Sequence, residues 1–118
     1  MRHSEDYEPV DPAIHLAMTL KRARIKYAYS LRKLSEEAGV SPSFLSRIEN
    51  AQERPPDRIL TIYAKSFRVD ADELFRLAGR MPSDMVAHLV KSPRTLKQIR
   101  AEMAQKASRS GEQSNNRS

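Results

Sequence analysis

The chain contains no cysteine, so it can build neither a disulfide framework nor a thiolate metal site, and a reducing compartment suits it. Its three histidines, His3, His15 and His88, are scattered without metal-ligand spacing, and its three glycines form no phosphate-cradling loop. Metal, cofactor and catalytic residues are therefore not expected, and the serines read as caps and loop residues because no base motif accompanies them. No apolar run approaches the roughly 20 residues that span a bilayer. The acidic opening RHSEDYEPVD is unlike a signal peptide. These absences predict a soluble, cytoplasmic protein with no membrane partner that is not an enzyme. Sustained polar/apolar alternation and internal repeats are also missing, which leaves strands unsupported. Acid is absent from one stretch in particular: residues 14–35 hold Lys21, Arg22, Arg24, Lys26, Arg32 and Lys33 and no Asp or Glu. Residues 1–13 instead set four acids against one Arg. A net charge of +6 and a pI near 9.9 permit polyanion binding without diagnosing it. The uneven distribution places a basic face on one part of the chain.

At 118 residues there is room for one domain with a small helical core. Asp11 and Pro12 pair a cap with a first-turn residue, and Ile14, Ala17, Met18, Leu20 and Ile25 give a helical stripe ending near Lys26. Ser30–Asn50, reading SLRKLSEEAGVSPSFLSRIEN, spells two short helices joined at Gly39. Leu34, Ala38, Val40, Leu45 and Ile48 are its apolar positions, and Ser41 and Pro42 start the second helix. The proline-containing connection AQERPPD must be a loop and ends at Asp57, read as the next cap. Ile59, Leu60, Ile62, Tyr63 and Phe67 form one buried stripe. Asp70 and Glu73 suggest a capping box for a short helix carrying Leu74, Phe75, Leu77 and Ala78, with Gly79 as terminator. Ser83 and Ser92-Pro93 open two further helices, with Met85, Val86, Leu89 and Val90 on the first and Leu96, Ile99 and Met103 on the second. The expected organisation is a loose arm over 1–10, a helical domain over 11–80, a helical extension over 81–106 and a disordered tail over 107–118. The extension either packs back or builds a dimer interface.

Two helices of this kind with a polar, basic second member are a helix-turn-helix signature. An Arg47 guanidinium one turn into that helix can donate two parallel hydrogen bonds to guanine O6 and N7. Its plain alternative is a solvated surface cation. Ser43 can reach a base or phosphate, and Pro42 and Phe44 can touch a thymine methyl, although Phe44 serves equally as partial core. Ser30 and Arg32 lie where a helix N-terminus can hold a phosphate. Lys33 reads as a generic basic neighbour.

The Val40-Ser41 pair followed after four residues by Ser46-Arg47-Ile48-Glu49-Asn50, together with LKRARIKYAYS before and RPPDRILTIYAKSFRVDADELFRLAG after, resembles the phage-repressor-like (Xre) family across about Ile14 to Gly79. Leu31 stands where that family usually has Gln, Ser35 where it has Ala, and Ala51 where Gly commonly follows Asn50. The resemblance implies an all-α, five-helix lambda-repressor-like DNA-binding domain, here with two additional C-terminal helices. It also implies a bacterial or phage-encoded regulator that recognises specific double-stranded DNA sequences, most simply a repressor acting as a homodimer on a near-palindromic operator. The implied DNA-binding set is Ser30, Arg32, Ser41, Pro42, Ser43, Phe44, Ser46, Arg47, Asn50 and Arg54, with Asn50 and Arg54 on the phosphate backbone. Arg24 and Glu49 match a family pair in which an arginine of the first helix bridges to the glutamate after the recognition helix. The alternative function is an antitoxin or regulatory adaptor that binds a partner protein through the C-terminal extension.

Overall fold

A computed structural model describes residues 11–117, with side chains described as far as Arg109; the arm expected over 1–10 lies outside the described residues. Seven helices and no strand occur among the described residues: α1 Pro12–Lys26, α2 Leu31–Ala38, α3 Pro42–Glu49, α4 Asp57–Phe67, α5 Ala71–Leu77, α6 Ser83–Val90 and α7 Pro93–Arg117. The chain divides between Met81 and Pro82 into two compact units.

In the first unit, α1 packs on α3, α4 and α5, while α2 packs on α3 and α4 on α5. Leu20, Leu34, Leu45, Ile48, Ile59, Leu60, Tyr63 and Leu74 are fully buried at its centre. Burial of each such side chain contributes about 1.5–3 kcal/mol against exposure, which is ample reason for the helices to close on one another. Side-chain oxygens start the helices: Asp11 accepts from Ala13 N–H at 2.8 Å, Ser30 from Lys33 N–H at 3.0 Å, Ser41 from Phe44 N–H at 3.1 Å and Asp70 from Asp72 N–H at 3.0 Å. Phe67 collects the rings of Tyr27, Tyr29 and Tyr63 at centroid distances of 5.7, 5.2 and 5.6 Å, fastening the α1–α2 turn to α4.

Three local expectations are corrected. On α1 the buried face is Leu16, Ala17, Leu20, Ala23 and Arg24, leaving Ile14, Met18 and Ile25 exposed at 47%, 39% and 56%. The helix is turned so that Arg24 enters the interior, and a charged residue on the core face is invisible to an apolar-period reading. At α4 the cap position belongs to Pro56, whose φ of −64° is already the extended cap conformation. Asp57 is the first helical residue, and its carboxylate accepts from Arg80 Nη1 at 2.7 Å. At α5 Asp70 caps alone, because Glu73 is drawn forward into a two-point pair with Arg76.

In the second unit α6 and α7 pack on each other, yet α6 has no buried residue. Met85, Val86, Val90, Leu96, Ile99 and Met103 remain exposed. Ser92 accepts from Thr95 N–H at 3.4 Å ahead of Pro93, as the start signal predicts. Helix α7 runs on to Arg117, through residues read from the sequence as a disordered tail. Beyond Pro93 it meets no further proline and a single glycine, Gly111, so nothing in the backbone forces a stop. No helix among the described residues is long and apolar enough to cross a membrane.

Candidate nucleic-acid interface

Helix α3 is held from behind. Leu45, Ile48 and Glu49 are buried, whereas Pro42, Ser43 and Arg47 are exposed, with Phe44 and Ser46 half-buried between the two faces. Glu49 receives Arg24 Nε and Nη2, each at 2.9 Å, and the Tyr63 hydroxyl at 2.6 Å. The remaining Arg24 terminal nitrogen, Nη1, donates to the Tyr29 carbonyl at 2.6 Å. One buried network therefore ties α1, the α1–α2 turn, α3 and α4 together at the C-terminal end of α3. The hydrogen bond to Glu49 is the largest influence raising the Arg24 pKa, and burial is the largest raising that of Tyr63. The guanidinium stays charged and the phenol neutral. Tyr63 was not foreseen as a member; a tyrosine inside an apolar stripe was the available signal, because its buried hydroxyl needs a partner.

The first turns of α2 and α3 expose what the caps leave over. Ser30 Oγ and the Ser30 carbonyl satisfy Lys33 and Leu34 N–H, so Leu31 and Arg32 N–H take no partner among the described residues. Two open amides at a helix start suit a phosphate oxygen, and they do not depend on the side chain at position 31. Ser41 does the same for Phe44 and Leu45, and with Pro42 lacking an N–H only the Ser43 amide of that turn is open. Ser41 and Ser43 hydroxyls also lie 3.3 Å apart.

The charged candidates differ in how free they are. Arg32 lies 3.6 Å from Glu36 with both side chains strongly exposed, an interaction worth about 0–1 kcal/mol and easily exchanged for a phosphate. Arg47 Nε lies 3.6 Å from Glu53 Oε1, and its guanidinium carbon stands 5.8 Å from the centroid of the Phe44 ring. Glu53 was missed from sequence, since nothing in the loop pattern says which way its carboxylate turns. Arg54 is exposed and has no ion-pair partner among the described residues. Asn50 behaves differently from expectation: its side-chain amide donates to the Ser46 carbonyl at 2.9 Å and to Ser46 Oγ at 3.3 Å. In this arrangement the Asn50 amide turns back onto the last turn of α3. Lys33 is drawn over the Tyr29 ring at 4.3 Å.

The α3–α4 loop begins with a left-handed residue, Ala51 at φ 60°. Across it Gln52 N–H bonds to the Arg47 carbonyl at 2.8 Å and Ala51 N–H to that of Ile48 at 3.2 Å, the Schellman ending of a helix. This turn leads directly into Glu53 and Arg54.

Residues 20–74 match the family described as Helix-turn-helix, HTH_3. Two curated relatives from two strains of Mycobacterium tuberculosis, each described as an uncharacterized HTH-type transcriptional regulator, are 40% identical over 50 residues. The match covers 42% of this chain and 36% of each relative, so the chain matches about a third of their length. The crystal structure of the clp gene regulator ClgR from Corynebacterium glutamicum aligns with a TM-score of 0.49 at 20% identity, over 79% of this chain and 93% of that one. Over residues 20–74, which include α2, the turn at Gly39 and α3, the chain is similar to the helix-turn-helix family.

Proposed function

We propose that this chain is a cytoplasmic transcriptional regulator that places α3 in the major groove of duplex DNA. In this reading it acts as a homodimeric repressor on a near-palindromic operator, occluding a promoter. The observation that carries the reading is the two-faced α3: Pro42, Ser43 and Arg47 exposed on one side, Leu45, Ile48 and Glu49 buried on the other. A helix anchored this way presents its outer side chains without unfolding anything. Arg47 reads a guanine, Ser43 and Phe44 contact neighbouring edges, and the open amides of Leu31 and Arg32 with the Arg54 side chain hold phosphates. A dimer supplies one α3 to each half-site, with centres about one helical turn apart.

Selection of bound sequences from a random duplex pool tests the reading. The expected product is a pair of symmetric half-sites, with one guanine-bearing position per half-site lost in Arg47→Ala at a cost of about 1–3 kcal/mol. Recovery of unenriched sequence would overturn it. The second reading, an antitoxin or adaptor, draws on the exposed apolar side chains of α6 and α7. Copurification with a toxin-like protein whose removal abolishes operator binding would favour it.

A further inference from the structure

Two groups flank the Arg47 guanidinium, one from its own helix and one from the loop beyond it. The Phe44 ring lies under the guanidinium at 5.8 Å, and the Glu53 carboxylate faces Nε at 3.6 Å from the loop beyond α3. The side chains of Arg47 and Glu53 are 46% and 43% exposed, so their attraction is too weak for a role in stability. An arginine of that exposure otherwise loses most of its rotamer freedom on docking to a base. Glu53 is set where the Schellman turn at Ala51 sends the chain back past the last turn of α3, with Gln52 N–H fixed on the Arg47 carbonyl itself. The backbone bond and the side-chain contact therefore converge on the same residue.

We propose that Glu53 is a specificity-determining positioning residue: it engages Nε, holds the guanidinium beside Phe44, and leaves Nη1 and Nη2 pointed outward as the fork that reads guanine. The inference rests on the base-reading role proposed for Arg47. Its second consequence is electrostatic. A carboxylate next to the reading arginine repels phosphates on every sequence alike, and only on the preferred base does the two-point contact of Arg47 compensate. That uniform repulsion sets overall affinity; the discrimination comes from the pre-ordered fork, whose ordering is rewarded only where a guanine takes both N–H groups. Its neighbour Arg54 carries no such constraint and grips without reading.

The test compares the wild-type chain with Glu53→Gln, Arg47→Ala and the double variant, each by selection from a random duplex pool and by titration against a selected and a scrambled duplex. Glu53→Gln is expected to relax the preference at the position that Arg47 controls and at no other. It is also expected to tighten binding to the scrambled duplex, so that the ratio of specific to nonspecific affinity falls by about twofold to fivefold. In the Arg47→Ala background the same change should leave every base preference as it was. Were Glu53→Gln to shift affinity equally on all sequences, or to alter preferences equally in both backgrounds, Glu53 would act as a generic charge or through its own contact, and the inference falls alone. If Arg47→Ala itself leaves all preferences intact, the base-reading assignment falls and takes the inference with it. A loss of sharp Arg47 Nε–H signal by NMR in the DNA-free Glu53→Gln protein is the expected signature of the released side chain; an unchanged signal would count against the tether.

Discussion

Glu49 accepts two N–H groups from Arg24 and the Tyr63 hydroxyl where α1, α3 and α4 meet. Arg24→Met or Glu49→Leu alone strands a buried charge, and denaturant unfolding should show a loss of about 3–5 kcal/mol for each. Their double-mutant cycle should reveal strong coupling, whereas additivity within about 0.5 kcal/mol would mean the pair does not act as one. The Tyr63 hydroxyl sets an alkaline limit. Its pKa is raised from the ordinary value of 10.0, by burial first and then by its bond to Glu49. The stabilisation is therefore complete below the unfolded value and fades as pH climbs above about 10 toward the folded one. Unfolding midpoints followed from pH 8 to 11 should fall less steeply in Tyr63→Phe than in the wild type, about those pH values where tyrosine titrates. Ala51 presents the opposite situation, a residue whose substitution should help. It sits at φ 60° with a Cβ that this region disfavours, so Ala51→Gly should raise stability by about 0.5–1 kcal/mol after the entropy cost of glycine is subtracted. A thermal melt that drops instead would show that the turn is unstrained.

At the scale of elements, every helix of the first unit ends the same way. A left-handed residue follows, Ala28, Gly39, Ala51, Arg68 or Gly79, and the next N–H bonds back across it: Tyr29 to Arg24, Val40 to Ser35, Gln52 to Arg47, Val69 to Ala64 and Arg80 to Phe75. These endings satisfy helix carbonyls and set the exit direction of each loop. Only the two glycines announced the pattern in the sequence, because Ala and Arg adopt that conformation only where packing compels it. The loop after α3 takes its exit direction from this geometry, and Glu53 and Arg54 follow directly on it. If Arg54 grips phosphate while Arg47 reads a base, Arg54→Ala should weaken specific and nonspecific duplexes together and flatten the dependence of log affinity on log salt by about one unit per subunit bound. Salt titrations in which Arg54→Ala changes only the specific site would reverse the assignment.

For the whole molecule, the division at Met81/Pro82 leaves the entire buried cluster in the first unit, from Leu16 to Leu77. A chain ending at Met81 should therefore unfold cooperatively near the full-length midpoint. Should α6 and α7 form the dimer interface, light scattering of that truncated chain should give a monomer with weakened operator affinity. An undiminished dimer would move the interface into α1–α5, where Ile14, Met18 and Ile25 offer an exposed apolar face. The sequence by itself determined the helices, most of their caps, the turn at Gly39 and the outward placement of Ser43 and Arg47, because these depend on residues within one or two turns of each other. It also pointed to Arg24 and Glu49, though by resemblance rather than by any local pattern. Tertiary structure decided the rest: the rotation of α1 that buries Arg24, the recruitment of Tyr63, the transfer of Asp57 from cap to partner of Arg80, the commitment of Asn50 to Ser46, and the approach of Glu53 to Arg47. Partners separated by 25 residues, as in Arg24–Glu49, or 23, as in Asp57–Arg80, meet only after the helices have packed. For Arg24 and Glu49 the match is settled by burial, since an ion taken from water must find its counter-ion inside, whereas Asp57 and Arg80 meet at the surface, brought there by the packing of α4 on α5.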